Sequence, residues 1–169
     1  MRKKLDQLYD VSAWIAAAFM IALLVMVLLS ILGRQFSFHV RGTDAYAGYM
    51  MAGAGFFALA HTLKRGEHIR VTLLLQALGP VMKRRLEIFA LASAVLLSGL
   101  LAWFSASLCW QSYSIHDIST GSDATPLWIP QISMALGTLV LLIAFVDELV
   151  SEIRGTRALA AGDDSLHNE

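Results

Sequence analysis

A chain of 169 residues that is 57% hydrophobic and only 15% charged, with a mean hydropathy of +0.62, departs from the soluble norm of about half apolar and a quarter charged and points to a membrane protein. The formal net charge of zero hides charge clusters set between apolar segments, and no domain-sized polar region exists. A single cysteine, Cys109, excludes an intramolecular disulfide, a CxxC redox pair and any cysteine-built metal site.

The N-terminal MRKK resembles the basic start of a secretory signal. The apolar run that follows, residues 11–33, is longer than the usual 7–15 residues of a signal, and ILGRQF offers no small-x-small cleavage site. It reads as an uncleaved anchor of the length needed to cross a hydrocarbon core of about 30 Å. Residues 45–63 form a second, shorter candidate span rich in small residues, with Ala45, Gly48, Ala52 and Gly55 recurring on one helical face. Such a face lets another backbone approach closely, either within the bundle or from a partner. Arg34 and Arg41 precede this span and Asp44 opens it, where anchoring, helix-dipole compensation or a salt bridge to a partner are the expected roles.

The stretch HTLKRGEHIRVTLLLQALGPVMKRRLE, residues 61–87, gathers charges between two oily segments. A metal site would need His61, Glu67 and His68, yet His61 and His68 fall two turns apart on a continuous helix and no HEXXH or HXXEH spacing is present. A joint accounts for more of the residues. Lys64 and Arg65 end the second span, Gly66 lets the backbone turn, and Thr72 caps a short interfacial helix over 72–78. Gly79-Pro80 ends that helix and starts the next, with Pro80 in its first turn. Residues 88–110 form the third span, and 124–146 the fourth, with Pro126 and Pro130 at its entry and Gly137 within it.

Arg2, Lys3 and Lys4, the central-loop basic residues and the tail residues Arg154 and Arg157 fall on one side of such a four-span chain. Only Arg34 and Arg41 of the 13 basic residues fall opposite. The positive-inside bias therefore predicts that both termini and the central loop are cytoplasmic. The expected architecture is an all-α integral membrane protein over residues 1–155, with four transmembrane helices, a short interfacial cytoplasmic helix between the second and third, and a disordered tail at 156–169. No Asp, Glu, Lys or Arg lies deep in any span, which argues against a self-sufficient ion-coupled carrier. Paired intramembrane histidines for haem are absent, as are a phosphate loop and a nucleic-acid patch. No catalytic residue, cofactor or metal is expected.

Arg34 closing the first span, Asp44 opening the second, GEHIRV in the loop and TPLWIPQISMALG opening the fourth resemble one family across residues 5–155. It is the DctQ-type small membrane subunit of the tripartite ATP-independent periplasmic (TRAP) transporters. The motif Gly66, His68, Ile69, Arg70 and Val71 is the sharpest element, supported by Pro126, Pro130 and Gly137. Where the family often has two acids this chain has Thr43-Asp44-Ala45, and Thr72 stands where an acid often follows the Val. The resemblance implies a multi-pass protein of a bacterial or archaeal inner membrane, contacting lipid, a large transport subunit and a periplasmic solute-binding protein. It further implies a brace for sodium-driven uptake of a small anionic solute, with Gly66 and His68 as structural residues of the loop, beside Arg70 of the motif and Gly79 and Pro80 of the joint. The alternative is a membrane scaffold or assembly subunit unrelated to transport.

Overall fold

The computed structural model describes residues 2–38, 40–64, 79–121 and 123–154. They form four helices: α1 (Arg2–Gln35), α2 (Thr43–Lys64), α3 (Pro80–Ser114) and α4 (Trp128–Ile153). Among the described residues there is no strand, only a lone antiparallel bridge between Ile118 and Pro126. The loop residues Gly66, His68 and Arg70, the expected helix over 72–78 and the tail 156–169 lie outside the described residues.

The helices run longer than the expected spans because polar residues continue the helical backbone beyond the apolar run. α1 has 34 residues and α3 has 35, about 50 Å each at 1.5 Å per residue. The exception is the entry to α4, which begins at Trp128 and not at residue 124. Pro126 is held in the bridge to Ile118, and Leu127 donates its N–H to the Asp117 carbonyl (3.0 Å). The chain is therefore committed to loop pairing up to Leu127, and Pro130 sits in the first turn of the helix, where its missing N–H costs no intrahelical bond. Gly79 is extended (φ −62°, ψ 157°) and Pro80 follows as the first helical residue of α3, for the same reason.

α1, α3 and α4 contain stretches long and apolar enough to cross a membrane, Leu5–Gln35, Val81–Ser114 and Trp128–Ile153. α2 is not among them, since Gly48, Gly53, Gly55, Tyr46, Tyr49 and His61 dilute its 22 residues. The helices lie in a row, α1 against α2, α2 against α4 and α4 against α3, with α1 touching α4 only lightly. Only 6% of the apolar window of α1 is buried, against 28% for α4, so α4 is central and α1 is peripheral. Exposed large side chains such as Trp14, Ile21 and Leu24 on α1 and Phe89, Leu96 and Trp103 on α3 make broad apolar faces of the kind that lipid covers.

Contacts along the row fix the directions. Ser12 and Phe19 of α1 meet Phe57 of α2, and Ser30 meets Asp44, so these two helices are antiparallel. α2 and α4 run parallel, with Tyr49 near Asp123, Phe56 against Gly137 and Lys64 beside Asp147. α3 returns antiparallel to α4, Cys109 near Trp128 and Arg84 near Ile153. The start of α1, the end of α2, the start of α3 and the end of α4 thus share one end, which also carries Lys64, Lys83, Arg84, Arg85 and Arg154. The opposite end carries the links 36–42 and 115–127.

Candidate functional site

The two faces of α2 differ in use. Its inner face buries Gly53, Ala54, Phe57 and Ala60. A Cβ on Gly53 would lie 2.9 Å from the Phe19 ring, and Ser12 of α1 donates a buried hydrogen bond to the Phe57 carbonyl at 2.6 Å. Against α4 the approach is closer still: a Cβ on Gly137 would lie 2.7–2.8 Å from the Cβ, C and O of Phe56. The outer face carries Gly48, Ala52 and Gly55, all exposed, and nothing lies within 4 Å of a Cβ placed on Gly48 or Gly55. With Met51, Phe56 and Leu59 these residues line an open groove of about 450 Å³. Among the described residues, Gly48, Ala52 and Gly55 of the small-residue face read from the sequence therefore stand open, and the glycines at the crossings of α2 with α1 and α4 are Gly53 and Gly137. Ala45, one turn before the groove, is half-buried.

At the basic end three helices meet on Lys64. Its Nζ lies 3.2 Å from Asp147 Oδ2 of α4 and 3.8 Å from Asp6 Oδ1 of α1, and 5.4 Å from the centroid of the Tyr9 ring. Tyr9, 1% exposed, packs with Ala60 and Ala144 in a small core flanked by Leu5, Leu63 and Val140. A cation held between two carboxylates over an aromatic face ties α1, α2 and α4 together where they leave the apolar zone.

The opposite end is closed by hydroxyls around one acid. Asp123 accepts hydrogen bonds from Tyr49 (3.0 Å) and Ser119 (2.9 Å), and the Thr125 hydroxyl lies 3.2 Å from that of Tyr46. Desolvation pushes the Asp123 carboxyl up, but hydrogen bonds from Thr125, Ser119 and Tyr49 outweigh it and bring it from its ordinary 3.8 down to about 2. Gly42, at φ +80°, lets the 36–42 link pass close to this acid, since a Cβ there would meet Asp123 Cβ at 2.8 Å. The two links are thereby locked to each other.

Beside this lock, Arg34 and Asp44 line a common pocket of about 280 Å³. Asp44 accepts a hydrogen bond from Ser30 (3.3 Å), and among the described residues Arg34 makes no ion pair. Among those residues, no group of three His, Cys, Asp or Glu side chains gathers; His61 has its Nδ1 buried without a hydrogen-bond partner.

Sequence reasoning overlooked two arrangements. Ser98, Ala102, Ser105 and Ser112 are buried on α3, and Cys109 donates to the Trp128 carbonyl at 3.6 Å. Their spacing of four, three, four and three is the signal of a small-residue seam against α4. Asp123 was overlooked because a loop acid has no periodicity; its signal is an acid flanked by hydroxyl residues in a loop free of Lys and Arg.

Residues 23–155 match the family model for the tripartite ATP-independent periplasmic transporters, DctQ component. No curated protein matches the chain.

Proposed function

The chain belongs to the DctQ family of TRAP transporter components, and from that premise we propose that it is the small membrane subunit that braces a large transport subunit. The family works in a complex with such a subunit and a periplasmic binding protein, and it is a transporter component, not an enzyme family. The solute taken up is small and anionic, and sodium drives its entry through sites on the large subunit. This assignment is supported by the lack of any charged side chain deep in the apolar runs, where a carrier would couple its ion.

All four helices cross the inner membrane in this reading. α2 crosses because it runs parallel to α4 and ends level with it, Lys64 beside Asp147. The basic end faces the cytoplasm, in keeping with the positive-inside bias.

The observation that carries the bracing role is the outward groove of Gly48, Ala52 and Gly55, whose small side chains leave the α2 backbone open to a helix of the large subunit. The test is co-purification of tagged large subunit with Gly48→Leu and Gly55→Leu variants. Recovery of the large subunit should fall while the melting temperature of the small subunit alone stays unchanged. Full recovery with both leucines in place would remove α2 from the interface. In liposomes under an inward sodium gradient, the chain alone should take up no solute, and uptake should appear only with the large subunit and the binding protein added.

A further inference from the structure

We propose that the pocket between the end of α1 and the start of α2 holds the headgroup of a zwitterionic phospholipid with a primary ammonium, phosphatidylethanolamine. The proposal rests on the reading above only in taking this end of the bundle to lie at a membrane surface. Arg34 and Asp44 carry opposite charges and line one cavity of about 280 Å³, yet they do not pair with each other. Neighbouring opposite charges at a water-exposed site ordinarily drift together. Here Ser30 holds the Asp44 carboxylate at 3.3 Å while Arg34 lies in the last turn of α1, and both line the pocket without forming an ion pair. A ligand with a negative group and a positive group a few bonds apart satisfies both.

The local backbone builds this cavity. The chain folds back over the end of α1 so closely that a Cβ on Gly33 would lie 2.7 Å from the Phe38 carbonyl oxygen. Ser37, at φ +57°, makes that reversal and lines the pocket, as does Phe38. The guanidinium of Arg34 offers a fork of N–H donors that matches phosphate oxygens. The free carboxylate oxygen of Asp44 accepts from an ammonium. A choline headgroup has no N–H to donate, and a glycerol headgroup brings no cation to Asp44, so ethanolamine is the better complement. Leu29 forms an apolar wall of the pocket, and Val25 and Leu32, on its own face of α1, are 54% and 46% exposed. An acyl chain descending from the pocket along that face would cover them.

The test is native mass spectrometry of the full-length chain, alone and bound to its large subunit, after release from vesicles of equal phosphatidylethanolamine, phosphatidylcholine and phosphatidylglycerol. One phosphatidylethanolamine should stay bound in preference to the other two. Arg34→Gln and Asp44→Asn should each lower its occupancy at least about fivefold, the scale of one charge-assisted hydrogen bond. The exchange Arg34→Asp with Asp44→Arg should restore part of the preference, and circular dichroism of each variant should match the parent. Equal retention of all three lipids, or a preference unchanged in both single variants, would overturn the site. So would displacement of the lipid by soluble phosphoethanolamine alone, which would mark a soluble ligand. Loss of the large subunit in Arg34→Gln with lipid occupancy unchanged would mark Arg34 as a protein contact. Because large-subunit recovery is read in the same spectra, loss of lipid with the subunit retained leaves the bracing role untouched.

Discussion

Gly137→Ala probes the close crossing of α2 and α4 with one methyl group. Its Cβ would sit 2.7 Å from Phe56 Cβ and 2.8 Å from Phe56 C and O, where carbon atoms prefer about 3.5–4.0 Å. Two of these three atoms are α2 backbone, so no rotamer change relieves the clash and the two helices must separate by roughly 1 Å. Thr138, fully buried beside it, would lose its packing as they part. Overfilling a packed interface costs about 1–3 kcal/mol, and backbone contact puts this site toward the upper end. For a chain of this size that corresponds to a fall in melting temperature of roughly 5–10 °C, read by circular dichroism in detergent. Gly48→Ala and Gly55→Ala are the controls: each adds the same methyl where nothing lies within 4 Å, and each should be neutral or slightly stabilising through helix propensity. The reasoning fails if Gly137→Ala melts with the parent, or if the two controls melt as early as it does.

Lys64→Met keeps most of the side-chain volume but leaves Asp147, 18% exposed, without its cation. Because the site is partly solvated, the loss should be about 1–2 kcal/mol, below that of a fully buried pair. Adding Asp147→Leu should recover part of it, and equal melting temperatures for parent and Lys64→Met would refute the tie. The depressed Asp123 pKa sets a pH window. Its contribution to stability is fully present above the ordinary value of 3.8 and is lost as pH falls toward about 2. Asp123→Asn should therefore flatten the acid limb of melting temperature against pH, and an unchanged limb would show that the hydroxyl lock contributes nothing.

The parts of the fold legible in sequence are those in which one residue type acts alone. Uninterrupted apolar runs located α1, α3 and α4, and Gly79-Pro80 located the start of α3, because proline fixes its own backbone geometry. The helix of the fourth expected span starts at Trp128, four residues past 124, because the pairing of Ile118 with Pro126 is a contact between separated residues that hydropathy does not register. Ala45, Gly48, Ala52 and Gly55 were legible as a face, but not which way it points. Direction depends on Gly53, Ala54 and Phe57 filling the opposite side against α1 and α4, which emerges only on packing. The Lys64–Asp147 tie spans 83 residues, a separation at which no sequence spacing pairs the two charges.

The low apolarity of α2 follows from its position. A hydropathy threshold for a span assumes that the helix meets lipid over much of its circumference, so that each side chain must favour hydrocarbon. α2 sits between α1 and α4, and its inner face is Gly53, Ala54, Phe57 and Ala60. In the proposed complex its outer face of Gly48, Ala52 and Gly55 meets a helix of the large subunit, leaving lipid little of its surface. Under those conditions close backbone approach contributes more than side-chain hydrophobicity, since lipid tails are as apolar as leucine and give helices no hydrophobic reason to associate. Glycine and alanine are then favoured at the same positions where they lower mean hydropathy. In that complex α2, the helix too dilute in apolar residues to stand out as a span, would have its own bundle on one face and the large subunit on the other.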